Sequence, residues 1–293
     1  MSAARTDRVV RAAPPGRSRS ALMVAELRKL PAFARRDLLV QLSYRTAFLG
    51  DAFGLLTQSL IFFFVGKLVD PARIPLSGGG PNPYIAYVSI GIALSAFMAL
   101  ALGRVTTAIE REHLIGTLDS LLVTPTGYPT LQIGSVAYDL VYVPVRTALF
   151  LGLVTVLYGV RLHLGGAPAA LLVLVLFIPF VWGLGVVCAA AVLTFRRGSG
   201  LVAVFSTLLS LGSGAFFPLA LFPHPIAVLL RWNPVAVAMR DMRSALLEGA
   251  TVPQVAPGLA VLVGSAGVTL TVGIVAFRAA VARERRNGTI GLY

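Results

Sequence analysis

Apolar residues dominate six stretches of this chain, and each stretch has about the twenty residues a membrane-spanning helix needs. They lie near Ala47–Gly66, Tyr84–Gly103, Ile133–Val160, Ala170–Phe195, Leu201–Phe222 and Val255–Phe277. The pattern predicts an all-α, polytopic helical membrane protein with six transmembrane helices. Ahead of the first span, the first twenty residues hold five arginines among Ala, Pro, Gly and Ser, which reads as a disordered basic tail over 1–20. Residues 21–46 alternate apolar and basic positions. Beyond Pro31, Phe33, Leu38 and Leu42 against Arg35, Arg36 and Arg45 predict an amphipathic helix on an anionic membrane surface. The remaining chain divides into a transmembrane domain over 47–281 and a cytoplasmic tail over 282–293.

Composition supports this class. Hydrophobic residues make up 57% of the chain and charged residues 13%, against roughly 25% charged in a soluble domain. The net charge of +13 sits at the ends and between apolar runs, so it implies cytoplasmic anchoring and not nucleic acid. With six spans and the N-terminus inside, eighteen Lys and Arg fall on the cytoplasmic side and six outside. The expected protein is a multi-pass protein of the plasma membrane with both termini cytoplasmic and lipids around it.

Three segments are candidates for function. Between spans two and three, Leu114, Ile115, Leu118, Leu121 and Leu122 share one face of a helix at 100° per residue. Glu112 and Asp119 flank that face, and Thr124-Pro125 closes it. This short cytoplasmic helix is either a surface connector or a docking helix for a soluble partner. Between spans five and six, Pro218, Pro223 and Pro225 interrupt any continuous helix. Asn233-Pro234 supplies an N-cap and a proline at the first helical position. Val235, Met239, Met242 and Leu246 then form an apolar stripe, Arg240, Asp241 and Glu248 lie off it, and Gly249 ends the helix. The segment reads as outward-facing, re-entrant or interfacial. Inside span three, Asp139, Tyr142 and Arg146 share a face. They form either a polar surface on a pathway or dimer seam, or a charge-compensated network in which Arg146 reaches back to Asp139. Pro144 is a candidate kink, and Asp51 is expected at the interface.

Lys29 and Lys67 are the only lysines, and neither has P-loop spacing, so the chain is not expected to hydrolyse nucleotide or to be an enzyme. His113, His163 and His224 lack ligand spacing, Cys188 is single, and no metal site is expected. Arg35-Arg36 lacks a following signal-peptide h-region and cleavage site.

Together these segments resemble the permease subunits of type-2 ATP-binding-cassette exporters. The loop of that family reads Glu-x-x-x-x-Gly-Thr-Leu-x-x-Leu-x-x-Thr-Pro. It is matched by Glu112, Gly116, Thr117, Leu118, Leu121, Thr124 and Pro125, with Glu110 just before and Leu122 on the same face. The stretch with Pro218, Pro223, Asn233, Pro234, Arg243 and Gly249 is similar too, as is the tail from Arg283 to Tyr293. The resemblance implies a second permease subunit, in a homodimer or heterodimer, and a separate ATP-binding subunit that holds ATP and Mg. The 110–125 loop would be the coupling helix seated in that ATPase. No cofactor is expected in this chain. Family members export drugs, lipids or lipid-linked glycans. The run from Arg36 to Gly50 is similar to glycan exporters, with Asp51-Ala52-Phe53 where those usually carry a Trp, so the substrate stays open. The competing readings are an ion-coupled secondary transporter using Asp139 and a non-transporting membrane scaffold.

Overall fold

The computed structural model describes residues 45–68, 80–115, 128–195 and 199–287. Among these residues every regular element is helical. The helices are α1 (Arg45–Gly66), α2 (Pro83–Ile115), α3 (Tyr128–Tyr158), α4 (Ala167–Phe195), α5 (Ser199–Leu211), α6 (His224–Arg231), α7 (Pro234–Glu248) and α8 (Val252–Asn287). Single 3₁₀ turns at Leu164–Gly166 and Leu219–Leu221 join them. Four segments are long and apolar enough to cross a bilayer: Pro83–Arg104, Asp139–Tyr158, Leu164–Thr194 and Val252–Arg283. Shorter apolar helices cover Gly50–Gly66 and Val202–Leu211. The chain is a polytopic helical membrane protein. The expected amphipathic segment over 21–46 lies almost wholly outside the described residues.

The helices are apolar on nearly every side, because lipid and protein neighbours are equally apolar and no water-facing stripe is required. What distinguishes the core is close packing. In its spanning part α2 is almost completely enclosed, with Val88, Ile90, Ile92, Met98 and Leu102 fully buried. The most extensive helix pair is α4 with α8. Gly183 lets the backbones approach there, since a Cβ at that position would collide with the main chain of Thr269 and Leu270. The opposite side of α8, including Val263, Val268, Val272 and Val275, is exposed and apolar, as a lipid-facing surface must be. Pro144, Pro179 and Pro257 sit inside α3, α4 and α8 without ending them.

Two boundaries differ from the sequence expectation. The second span does not stop near Gly103, because α2 continues as one helix to Ile115. The fifth does not run from Leu201 to Phe222, because α5 has 13 residues and ends at Leu211. Such a helix rises about 20 Å, short of the roughly 30 Å hydrocarbon core. Gly212-Ser213-Gly214 breaks it, with Gly214 at φ 72° in the left-handed region. The turn that follows packs inside the bundle. Gly91, two turns into α2, lies so close to the Ala215 backbone that no Cβ fits between them. The ring of Phe216 stacks on Phe62 of α1 at 4.9 Å. The chain therefore reverses within the bundle, beside the C-terminal part of α1 and the N-terminal part of α2.

Candidate functional site

Charged side chains inside the bundle are organised around α3. Asp139 and Arg146 are both buried, and they are not a pair. Seven residues separate them, so along the helix they stand about 10 Å apart, and each has a nearer partner on another helix. Asp139 Oδ1 accepts from Arg104 Nη1 of α2 at 2.8 Å, and its Oδ2 accepts from Trp182 Nε1 of α4 at 2.9 Å. Arg146 donates through Nη2 to Asp51 Oδ1 of α1 at 2.7 Å, with Nε 2.7 Å from Oδ2. Tyr142 lies between the two clusters, its ring centroid 5.9 Å from the Arg104 guanidinium. The expected internal network within α3 is thus replaced by two bridges between helices. One joins α2, α3 and α4, and the other joins α1 and α3. Placing a charge in the bilayer is costly, and pairing it across helices turns that cost into a constraint on helix register.

Arg104 and Trp182 did not stand out in the sequence. A usable signal was present for Arg104. It ends one apolar span, and Asp139 opens the apolar part of the next, so antiparallel neighbours bring both to one depth. Asp51, expected at the interface, is one-third exposed and carries the charge opposite Arg146.

The segment from Pro218 to Gly249 is built from local signals. The Asn233 side chain accepts from Val235 N at 3.0 Å and Pro234 occupies the first turn of α7. Gly249 ends that helix at φ 76°, its N–H bonded to Ser244 O. Pro218 precedes the Leu219–Leu221 turn, and Pro223 precedes α6. Val235, Met239, Met242 and Leu246 are buried as a stripe. Asp241 and Arg243 depart from expectation, because both side chains are buried. Arg243 is 6% exposed. It donates through Nε to Tyr87 O at 3.1 Å and through Nη2 to Gly214 O and Ala215 O, both at 2.9 Å. Its guanidinium carbon lies 3.4 Å from the Tyr87 ring centroid. The α5 break accounts for two of these acceptors: a chain reversing in an apolar environment leaves the carbonyls of Gly214 and Ala215 without helical donors, and an arginine can serve several at once. Burial lowers the Arg243 pKa to about 10, and the neighbouring Tyr87 opposes that shift. Asp241 accepts from Arg240 Nε at 3.0 Å through Oδ1, while its buried Oδ2 has no hydrogen-bond partner among the described residues and sits against Gly258 of α8. Burial raises the Asp241 carboxyl above its ordinary value, and Arg240 partly offsets this.

Of the loop residues, Glu110 and Glu112 belong to the last turns of α2. Gly116, Thr117, Leu118, Leu121, Leu122, Thr124 and Pro125 lie outside the described residues. Cys188 is buried in α4. Among the described residues no group of His, Cys, Asp and Glu is arranged to hold a metal ion.

No relative among curated proteins matches the chain. The family model described as ABC-2 type transporter matches residues 31–247. That range takes in the loop after α2, both intramembrane bridges and nearly all of the capped helix α7. With most of its length matched in this way, the chain belongs to the ABC-2 type transporter family, as a membrane permease component.

Proposed function

We propose that the chain is the membrane half of an exporter. It pairs with a second permease subunit, identical or not, and moves a hydrophobic or amphipathic substrate outward. ATP and Mg bind to a separate ATPase on the cytoplasmic side, where both termini also lie. The observation that carries this reading is the unbroken course of α2 from Pro83 to Ile115. The helix extends beyond Arg104, the end of its apolar part, by about 16 Å. It leads directly into the Gly116-Thr117-Leu118 and Thr124-Pro125 pattern. Movement imposed on that loop by an ATPase would reach the Arg104–Asp139–Trp182 bridge without crossing a hinge. Glu110, Glu112, Leu118, Leu121 and Leu122 are the residues proposed to seat the loop.

Leu118→Asp and Gly116→Leu test this reading. A leucine seated in a groove contributes roughly 1.5–3 kcal/mol, and a charge placed there would also be desolvated without a partner. Both variants should insert normally, lose co-purification with the ATPase or uncouple hydrolysis from export, and do so more strongly than Asp119→Asn. Normal co-purification and normal export by both would remove the coupling role.

A further inference from the structure

We propose that the outer face carries a binding site for a phosphate-bearing anion, a lipid headgroup or free phosphate. The site lies between the broken end of α5 and α7, and its outward orientation rests on the function proposed above. The reversed chain at 213–220, the end of α6 and one side of α7 enclose a cavity of about 460 Å³. Three arginines line it, Arg231, Arg240 and Arg243, against a single acid, Glu248. Their donors are unequally committed. Arg240 is held by Asp241. Arg243 spends Nε and Nη2 on three carbonyls, and its Nη1 makes no hydrogen bond among the described residues. Arg231 is exposed and likewise has no ion pair there. A buried guanidinium with an unused edge in an open cavity, beside a second, exposed guanidinium that has no ion pair among the described residues, matches the forked recognition of phosphate oxygens.

The surroundings indicate where such a phosphate would come from. The cavity walls include Pro218, Leu219 and Ala236. Next to Arg231, Leu229 is 74% exposed and Trp232 is 77% exposed. An exposed tryptophan and leucine beside an arginine are arranged as an interfacial anchor, with apolar groups toward acyl chains and the cation at headgroup level.

Trp232 gives a direct readout, since the other tryptophan, Trp182, is buried. The full chain in neutral detergent is titrated with phosphatidylglycerol or phosphatidylcholine carrying brominated acyl chains, and tryptophan quenching is followed. The expected result is half-quenching by the anionic lipid at about tenfold lower mole fraction, the scale of one charge-assisted hydrogen bond. Arg231→Gln should reduce that preference severalfold, and Arg231→Lys should keep part of it. Arg243→Lys, which cannot satisfy three carbonyls and also face the cavity, serves as a second variant. If millimolar inorganic phosphate displaces the lipid, the site reads phosphate alone; if it does not and the preference stands, the site reads the lipid headgroup. Equal quenching by both lipids in the unaltered protein, or a preference that survives Arg231→Gln and Arg240→Gln together, would overturn the site. Orientation is tested separately with Glu248→Cys in a Cys188→Ala background and an impermeant thiol reagent on intact cells. Lipid preference without labelling would keep the site and overturn its outward placement.

Discussion

Arg104 of α2 holds the Asp139 carboxylate of α3 at 2.8 Å, and the two ends of that bond differ in their access to water, at 28% and 1% exposed. The asymmetry predicts unequal variants. Arg104→Gln leaves a buried carboxylate without its guanidinium, whereas Asp139→Asn leaves a cation that reaches solvent. Arg104→Gln should lower the stability of the detergent-purified protein by about 3 kcal/mol, the lower end for a broken buried pair. The double variant with Asp139→Asn should recover part of that loss. In thermal unfolding, additivity of the two substitutions would remove the coupling. Asp139→Asn combined with Arg146→Gln should be additive, because those two belong to separate bridges.

Arg243 is a structural clamp as well as a cavity wall. Arg243→Met removes three hydrogen bonds and leaves the carbonyls of Tyr87, Gly214 and Ala215 without this donor. Gly214 O still accepts from the Tyr87 hydroxyl at 2.8 Å and Tyr87 O lies inside α2, so Ala215 O depends most on Arg243, and leaving it unpaired costs about 1–3 kcal/mol. The variant should show low yield and a proteolytic site opening near Gly212–Phe217. A protease pattern identical to the unaltered protein would show that the turn does not depend on this side chain.

Gly91 predicts a steric effect from one carbon atom. A Cβ there meets the Ala215 main chain and no flexible side chain, so relief requires moving a helix or the turn. Gly91→Ala should destabilise by about 1–3 kcal/mol, the range for overpacking, although alanine is the better helix former. Gly152→Ala, where nothing lies near the added atom, is the matched control and should not lower the melting temperature.

Asp241 predicts a pH dependence. Burial raises the pKa of its carboxyl above the ordinary value of 3.8, so the folded state binds its proton more tightly than the unfolded state. The contribution of this residue is therefore best at acid pH, and it declines as pH rises from about 3.8 through the raised value. Asp241→Asn should flatten that decline. Melting curves from pH 4 to 8 should show the variant gaining relative to the parent as pH rises; a constant difference would place the carboxyl at its ordinary value.

Local signals in this chain were legible. Asn233, Pro234 and Gly249 specify the two ends of α7 through groups within a few residues, and the spacing of Val235, Met239, Met242 and Leu246 specifies its buried side. Relations between helices were not. Hydropathy sums over Leu201 to Phe222 register only that the residues are apolar, so a chain reversing at Gly212-Ser213-Gly214 scores like one passing through. Counting arginines by loop treats each as a solvated charge, which misplaces Arg243, whose role follows from carbonyls left open by a break in another helix. Asp139 and Arg146 attracted each other on paper because they share a helix, whereas their partners on α1 and α2 are distant in sequence and close only in depth.

The continuous course of α2 also sets a ratio of displacements. Gripped at Arg104, a rigid helix would have a C-terminal arm of about 16 Å to Ile115 and an N-terminal arm of about 31 Å to Pro83. A sideways push of about 2 Å at the Ile115 end would swing the Pro83 end by about 4 Å, twice as far and in the opposite direction. Gly91 rides on the long arm, pressed against the reversed chain at Ala215. This close backbone contact thus lies where a tilt pivoting on the Arg104 bridge would be amplified.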